Sequence, residues 1–314
     1  MSKLSQRLPT SIRKRYIKLF PPTALKPLEY DKDPNHVSDV IYKILQSGVP
    51  CMIARFGSVE LGCVVNYLGV KNKSVLNYIR GKGEPWWWTS LTLHHMYNNA
   101  GFFSISDKNL RRFSELMIQS MPSVDILASW LQDENRFEQE LSHVYKIWLE
   151  YLNPYWSDKP WSRVLKGKKV LVVHPFVDSI QKQYQKRMLL HKSPDTLPDF
   201  NLKTIKAVQG IGGVCNEGFN DWFDAFEYMK AEIDKTDYDI CILGCGAYGF
   251  PLAAHVKQMG KQAIHMGGAT QMLFGIRGKR WEEEYGEFMN EYWIRPSKEE
   301  TPESAIKIEN ACYW

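Results

Sequence analysis

The sequence lacks several features that would assign its class at once. No apolar run reaches the roughly 18 residues that a membrane-spanning helix needs, and no signal-peptide pattern opens the chain. Internal repeats and low-complexity tracts are also missing. We therefore expect a globular protein that stays in the cytoplasm. Its 314 residues, 44% of them hydrophobic, can bury a substantial core in one large α/β domain or two small ones.

The cysteines form no Cys-x-x-Cys pair, and several of them lie in apolar runs. This pattern is typical of reduced thiols in a protein core, so we expect neither a zinc site nor a disulfide framework. The six positions are Cys51, Cys63, Cys215, Cys241, Cys245 and Cys312.

An excess of positive charge is present but small. The net charge of +5 and the isoelectric point near 8.7 favour anionic ligands or a membrane surface. They do not reach the charge density that is typical of nucleic-acid-binding proteins, so we expect no nucleic-acid partner.

Residues 1–30 differ in composition from the rest of the chain. Arg13, Lys14, Arg15 and Lys18 alternate with apolar residues before Pro21-Pro22. The pattern is compatible with a short basic amphipathic helix at the inner membrane surface, and equally with a solvated arm packed loosely on the domain. Residues 31–314 then read as a single domain.

Apolar strand-like and helix-like segments alternate from Val49 to Met266. This alternation predicts an α/β fold with a Rossmann-like, mostly parallel sheet and helices on both faces. Residues 111–155 read as helical packing with one short strand near Val124 to Leu127. The other predicted strands are Val49–Phe56, Val170–Val173, Leu202–Val208, Asp239–Leu243 and Ala263–Met266, and the predicted helices are Asp33–Gly48, Leu61–Leu68, Ser179–Leu190, Asp221–Ile233 and Phe250–Met259.

A glycine-rich loop follows the predicted strand Asp239–Leu243. Gly244, Gly246 and Gly249 have Gly-x-Gly-x-x-Gly spacing, and Gly267-Gly268 ends the next strand. Glycines let backbone N–H groups approach an anion, so the loop predicts a phosphate site, with tight helix–strand packing as the alternative. A dinucleotide site would need an acidic residue about 20 positions after the loop begins, and His265 occupies that region instead.

A second candidate site is a turn in which charged residues flank a glycine. Arg55 ends a predicted buried strand, and Gly57, Ser58 and Glu60 follow. Arg55 offers a planar fork for phosphate or carboxylate, and Glu60 offers a base or a metal ligand. The structural alternative is that Glu60 satisfies a helix dipole with Arg55 as its partner.

Further candidates lie at another strand end and in aromatic or basic stretches. His174 is either a substrate contact or a core histidine. Arg277, Lys279 and Arg280 form a basic patch that suits a diphosphate, or a solvated loop. Trp86, Trp87 and Trp88 are consecutive, which indicates either a groove for sugar rings or a helix-packing corner.

Three segments together resemble the GT-D-type glycosyltransferases of bacterial surface-glycan (capsule and O-antigen) clusters. They are IARFGSVELG, KVLVVHPFVDSIQKQYQKR and ILGCGAYGFPLAAHVKQMGKQAIHMGGATQMLFGIRGKRW. The resemblance implies a nucleotide-diphosphate sugar donor, a UDP-sugar above all, and transfer to a lipid-linked or oligosaccharide acceptor. A dinucleotide-binding oxidoreductase and a non-catalytic scaffold in glycan assembly are the alternatives.

The family's Arg-x-Gly-Asp-x-Glu turn maps onto Arg55, Gly57, Ser58 and Glu60, with serine where the family has its first carboxylate. A single carboxylate makes a poorer site for Mg²⁺ or Mn²⁺, and Glu60 is the one candidate ligand in this turn. Glu60 is expected to be the base if configuration inverts, and a donor or metal contact if it is retained. The expected catalytic residues are Glu60, Arg55 and Ser58. Trp86 and Trp87 are expected to bind the acceptor. The residues expected to bind the donor are Gly57, His174, Gly244, Gly246, Tyr248, Gly249, His265, Gly267, Gly268, Lys279 and Arg280.

Overall fold

A computed structural model of the chain describes residues 3–210, 218–302, 305–306 and 311–314. Cys215 lies outside these residues, and the other five cysteines are buried. The described strands are β1 (Cys51–Ala54), β2 (Ile126–Ser129), β3 (Tyr145–Trp148), β4 (Lys169–His174), β5 (Asn201–Lys206), β6 (Ile240–Leu243) and β7 (Gln262–His265). The described helices are α1 (Lys3–Leu19), α2 (Pro34–Gln46), α3 (Ser58–Asn72), α4 (Val75–Ile79), α5 (Ser90–Asn98), α6 (Asp107–Ser120), α7 (Val177–Tyr184), α8 (Arg187–Leu190), α9 (Trp222–Lys235), α10 (Gly249–Gln258), α11 (Thr270–Leu273) and α12 (Lys279–Glu282).

Within the described residues, the seven strands form one sheet in the order β3–β2–β1–β7–β6–β4–β5. Every pair of neighbouring strands in it is parallel. The strands β1, β2, β6 and β7 are buried along their whole length, as expected for parallel strands that are covered on both faces. The predicted α/β, Rossmann-like fold is confirmed.

Helices cover both faces of the sheet and bury two apolar layers. One layer contains residues of α3, α6, α9 and α10. The other contains residues of α2, α7, α8 and α11, together with aromatic residues from the last part of the chain. The alternation of strands and helices in the sequence produces this arrangement, because each parallel crossover must pass over one face.

The direction of the crossovers reverses between two neighbouring strands. From β4 the chain passes over one face to β5, and from β6 it passes over the other face to β7. In open α/β sheets such a reversal leaves a crevice outside the carboxyl ends of the two strands, where ligands bind. His174 ends β4 and Gly244 follows β6, so both residues flank this crevice.

Most predicted elements are confirmed with shifted ends, and two predictions were wrong. Residues 111–155 contain β3 in addition to β2, so that region is not mainly helical packing. The segment predicted as one helix, Ser179–Leu190, forms α7 and α8. The helix predicted from Leu61 begins earlier, at Ser58, which places Glu60 in its first turn.

The basic segment near the start of the chain is helical, as one of its two interpretations predicted. The inner face of α1 contacts α4, where the Arg13 guanidinium lies 4.6 Å from the centre of the Tyr78 ring and donates a 3.0 Å hydrogen bond to the Gly83 carbonyl. Leu8 and Leu19 point outward and are 68% and 73% exposed. Among the described helices, none combines the length and the apolar character needed to cross a membrane.

Candidate functional site

A cavity of about 610 Å³ opens at the carboxyl ends of β1, β4, β6 and β7. Most of the site residues that the sequence predicted line this cavity. They are Arg55, Gly57, Ser58, Glu60, His174, Gly244, Gly246, Tyr248, His265, Gly267, Gly268 and Arg280. Gly249, Lys279, Trp86 and Trp87 are not among its lining residues.

Glu60 and Gly57 are locked together at the start of α3. Gly57 is the N-cap residue, and the Glu60 carboxylate folds back over it. A Cβ on Gly57 would lie 1.8 Å from Glu60 Oε2, so the carboxylate occupies the space of a side chain. Burial raises the pKa of Glu60, against the opposing effects of a backbone hydrogen bond and the Arg55 charge. Ser58 is exposed at the first position of the helix.

Arg55 lies against the aromatic ring of Trp130 and is close enough to Glu60 for their charges to interact. Burial lowers the pKa of Arg55, while the charge of Glu60 opposes this shift. The guanidinium carbon is 5.3 Å from the centre of the Trp130 ring. The opposite charges of Arg55 and Glu60 therefore stabilise each other in a site that is largely withdrawn from water.

Trp130 is itself held by hydrogen bonds from two directions. Its indole N–H donates to the carbonyl of Phe56 at 3.0 Å. The fully buried carboxylate of Glu134 accepts bonds from the backbone N–H groups of Trp130 and Leu131, both at 3.0 Å, and from the Ser129 hydroxyl. Burial raises the pKa of Glu134. No local pattern in the sequence pointed to this support of Arg55, since a single glutamate in a short 3-10 helix has no distinctive spacing.

Two glycines of the Gly-x-Gly-x-x-Gly loop make room for imidazole rings. A Cβ on Gly244 would lie 2.7 Å from Cδ2 of His174, and a Cβ on Gly249 would lie 2.4 Å from Nε2 of His265. Gly246 has a φ of +57°, which favours glycine. Gly244 and Gly249 thus match the tight-packing interpretation, while Gly244 and Gly246 also line the cavity, as the phosphate interpretation requires.

His174 and His265 are buried, neutral groups. Burial lowers the pKa of each to about 3, and the charge of Arg55 contributes at His265. The Phe176 N–H donates to Nδ1 of His174 at 3.0 Å, so the ring proton of the neutral imidazole is on Nε2. His174 can therefore donate a hydrogen bond from Nε2 without carrying charge.

The last described residues return to the cavity, although the sequence presented them only as a charged and aromatic tail. Tyr313 and Trp314 both line it. A Cβ on Gly268 would lie 2.6 Å from Cε1 of Tyr313, so this glycine permits close packing of the ring. The Arg280 Nη1 donates to the Tyr313 hydroxyl at 3.2 Å. Arg280 is thereby directed toward the cavity, whereas Lys279 is exposed outside it.

A second group of polar side chains also lines the cavity, and no motif in the sequence indicated it. Glu150 lies in the turn Leu149–Leu152, which follows β3, while Glu284 and Tyr285 follow α12. The Tyr285 hydroxyl donates to Glu150 Oε2 at 2.5 Å. Burial raises the pKa of Glu150, and the neighbouring charge of Glu284 raises it further.

Trp86 and Trp87 form an aromatic corner away from the cavity. Their ring centres are 4.8 Å apart, and both rings contact Tyr78 edge-on at 5.4 and 5.3 Å. Tyr248 lines the cavity, but its ring stacks on Trp222 at 4.5 Å. The packing-corner interpretation thus describes the contacts that Trp86 and Trp87 make.

The helix start after β4 is already occupied by a carboxylate of the chain. Glu300 accepts hydrogen bonds from the N–H groups of Asp178 and Ser179 at 2.8 and 3.2 Å, and from the Ser179 hydroxyl. An anionic ligand in the crevice would therefore find its charge partners in Arg55 and Arg280 rather than at α7.

A metal site finds little support in the donor set. Over the described ranges, no three or more His, Cys, Asp or Glu side chains are grouped so that they could hold a metal ion. The Glu60 carboxylate is directed onto Gly57, and Ser58 supplies a hydroxyl where a second carboxylate would be needed.

Comparisons of the chain with protein-family models, with curated proteins and with solved structures found no match.

Proposed function

We propose that the protein is a glycosyltransferase that moves a sugar from a nucleotide-diphosphate donor to a glycan acceptor of the bacterial cell surface. The observation that carries this proposal is the Arg55 and Glu60 pair, which lines one cavity together with the glycine turns after β6 and β7. A cation for the diphosphate and a carboxylate for the acceptor hydroxyl are the two groups that such a transfer needs most.

The donor would lie with its diphosphate near Arg55 and Arg280. Both guanidinium groups belong to residues that line the cavity, and Gly246 and Gly267 let the backbone approach closely. A volume of about 610 Å³ is within the usual range for sites that hold ligands of nucleotide-sugar size. UDP-sugars are the donors we would test first.

In the proposed reaction, the acceptor hydroxyl oxygen forms a bond with the anomeric carbon of the donor sugar. The bond between that carbon and the β-phosphate oxygen breaks, and its electron pair leaves on the nucleoside diphosphate. The hydroxyl proton goes to Glu60 if configuration inverts. Burial raises the pKa of Glu60, which makes its carboxylate a better base than a solvated one.

Arg55 and His174 would stabilise the charge that develops on the leaving diphosphate. Arg55 supplies a positive charge in a poorly solvated place, and Nε2–H of His174 supplies a neutral donor. If the enzyme retains configuration, Glu60 instead contacts the donor and does not act as the base.

The first experiment is a thermal-shift panel with UDP, UDP-glucose, UDP-galactose, GDP-mannose and NADH, each with and without Mn²⁺. A ligand that binds only the folded state raises the midpoint of unfolding. A shift with a nucleoside diphosphate or its sugar supports the proposal. A shift with NADH alone would indicate an oxidoreductase, and no shift with any nucleotide would indicate a scaffold.

Glu60→Gln then tests the chemistry separately from binding. We expect donor turnover, followed as release of UDP, to fall about 10²- to 10⁴-fold while the thermal shift with UDP is kept. Glu283→Gln is the matched control, because Glu283 is exposed and does not line the cavity. Turnover at the wild-type rate in the Glu60 variant would remove Glu60 from the mechanism.

The exposed side of α1 suits a peripheral position on an anionic membrane, where a lipid-linked acceptor would be found. Leu8, Ile12 and Leu19 are 68%, 42% and 73% exposed at helical spacing. The exposed basic residues Arg7, Lys14, Arg15 and Lys18 flank them. An apolar stripe with basic flanks is the usual pattern of a helix that lies in a lipid headgroup region.

A further inference from the structure

The cavity is lined by side chains of both charges. Arg55 lines it near Gly267, whereas Glu150 lines it from the turn after β3 and Glu284 from the residues that follow α12. We call the set of Glu150, Glu284 and Tyr285 the acidic wall. No sequence motif pointed to it, and the transfer step proposed above does not use it.

The acidic wall is ordered by contacts of its own. The 2.5 Å hydrogen bond from the Tyr285 hydroxyl fixes the orientation of the Glu150 carboxylate. Tyr285 is 9% exposed and Glu150 is partly buried, whereas Glu284 is exposed at the same wall. Trp281 also lines the cavity and packs near Gly268, and its carbonyl accepts a 2.9 Å hydrogen bond from the Tyr285 N–H.

The charge of the wall determines which ligand it can accept. A diphosphate would be repelled by two carboxylates and attracted by the two arginines, so the donor would lie with its phosphates away from the wall. Carboxylates accept hydrogen bonds and offer none when ionised. The wall therefore fits a ligand rich in hydroxyl or ammonium donors, and an aromatic ring beside it fits the apolar face of a sugar.

We propose that the acidic wall is the acceptor subsite, and that it takes neutral or amino sugars in preference to uronic acids. This inference rests on the proposed glycosyltransferase function, which it deepens by naming the chemical class of the acceptor. It also moves the acceptor contact from Trp86 and Trp87, which lie outside the cavity, to residues that share the cavity with Glu60.

The test uses three probes of equal size that differ in charge: methyl glucoside, methyl glucosaminide and methyl glucuronide. Their binding to the full-length protein is measured by saturation-transfer NMR, with and without UDP. We expect the glucosaminide to bind about tenfold more tightly than the glucuronide, because like charges repel in the site. The neutral glucoside should lie between them.

Glu150→Gln/Glu284→Gln should bring the ratio of glucosaminide to glucuronide affinity close to one. Glu283→Gln is the matched control and should keep the wild-type ratio, since this neighbour of Glu284 lies outside the cavity. Glu284→Gln alone is the second variant, because Glu284 is exposed and its change leaves the Tyr285–Glu150 bond in place. It should reduce the ratio by an intermediate amount.

Several outcomes would overturn the inference: no glycoside binding, equal binding of glucuronide and glucosaminide by the wild type, or an unchanged ratio in the double variant. A parallel titration with UDP separates this failure from failure of the proposed function. If UDP binds while the glycosides show no charge preference, the acceptor subsite alone is wrong. If the glycosides show the preference while UDP does not bind, the wall is a carbohydrate site and the transferase proposal is wrong.

Discussion

The carboxylate of Glu60 fills the space that a side chain on Gly57 would need, since a Cβ there would lie 1.8 Å from Oε2. The glycine is thus required by its partner rather than by its own backbone, whose φ of −77° is open to any residue. A spacing of three residues at a helix start brings the two together, because the side chain of the third helical residue reaches back to the N-cap.

Gly57→Ala should therefore displace Glu60 and lower donor turnover at least about tenfold, which corresponds to a misplaced catalytic group. The measurement is UDP release under saturating donor. Gly62→Ala is the control in the same helix, since a Cβ at Gly62 meets nothing within 4 Å. The control should keep its turnover and gain about 0.5–1 kcal/mol in free energy of unfolding. Equal turnover in both variants would contradict the conclusion that the Glu60 carboxylate needs a glycine at position 57.

The buried histidines should make the protein lose stability in acid. The pKa of His174 and of His265 is lowered from 6.5 to about 3, so the unfolded chain binds protons that the folded chain does not. The free energy of unfolding should thus fall as pH drops from about 6.5 toward 3, by up to about 1.4 kcal/mol per pH unit for each histidine. Above about pH 7.5, where the histidines of the unfolded chain are also neutral, neither histidine should contribute a slope.

This slope can be measured by urea unfolding at pH 5.0, 6.0 and 7.5. His174→Gln should remove the contribution of one proton to the slope between pH 5 and 6. His143→Gln serves as the control, because His143 is exposed and its loss should leave the slope unchanged. A slope for His174→Gln equal to that of the wild type would mean that His174 is protonated in the folded protein.

Glu134→Gln should weaken both the fold and the donor site. The glutamine side chain would keep one acceptor oxygen. Its NH₂ group would replace the second oxygen, which now accepts hydrogen bonds either from the Ser129 hydroxyl or from the N–H groups of Trp130 and Leu131. A cost of about 1–3 kcal/mol in the free energy of unfolding follows. Because Trp130 lies against Arg55, the affinity for UDP in calorimetry should fall as well. Glu138→Gln, at an exposed position, should change neither quantity.

The membrane proposal predicts that Leu8→Ser/Leu19→Ser reduces binding to phosphatidylserine-containing vesicles. Each leucine should contribute about 1.5–3 kcal/mol when its side chain enters the lipid, so the loss should exceed tenfold. Co-sedimentation with vesicles of phosphatidylcholine and phosphatidylserine at 3:1 measures it, with pure phosphatidylcholine as reference. Leu189→Ser is the control, since Leu189 is 48% exposed on α8. Absence of binding by the wild type would show that α1 has another role.

Local pattern in the sequence was sufficient for the central strands and the turns that follow them. Continuous apolar runs predicted β4, β6 and β7, and residues at or just after the ends of these strands, His174, Gly244 and Gly267, do line the cavity. Strand β3 was missed because it lies at the sheet edge with only Ile147 buried, so its four residues have no apolar run.

The remaining site residues depend on contacts between distant parts of the chain. Tyr285 and Glu150 are 135 positions apart, and neither has a motif around it. Tyr313 reaches the cavity only because the last part of the chain packs against Gly268. Such residues follow from the packed structure and not from spacing. Trp86 and Trp87 show the converse, since this conspicuous cluster in the sequence packs on Tyr78 of α4 and does not line the cavity.

The sheet consists of two successive stretches of chain that meet along one ladder. Strands β1 to β3 form one side, β4 to β7 form the other, and the pairing of Cys51 with Gln262 begins the seam. Arg55 belongs to the first side and Gly267 to the second, although a Cβ on Gly267 would lie only 3.4 Å from Nη1 of Arg55. A ligand that contacts both Arg55 and Gly267 would link the two sides of the sheet. Its binding should slow amide hydrogen exchange in β1 and β7 more than in the outer strands β3 and β5.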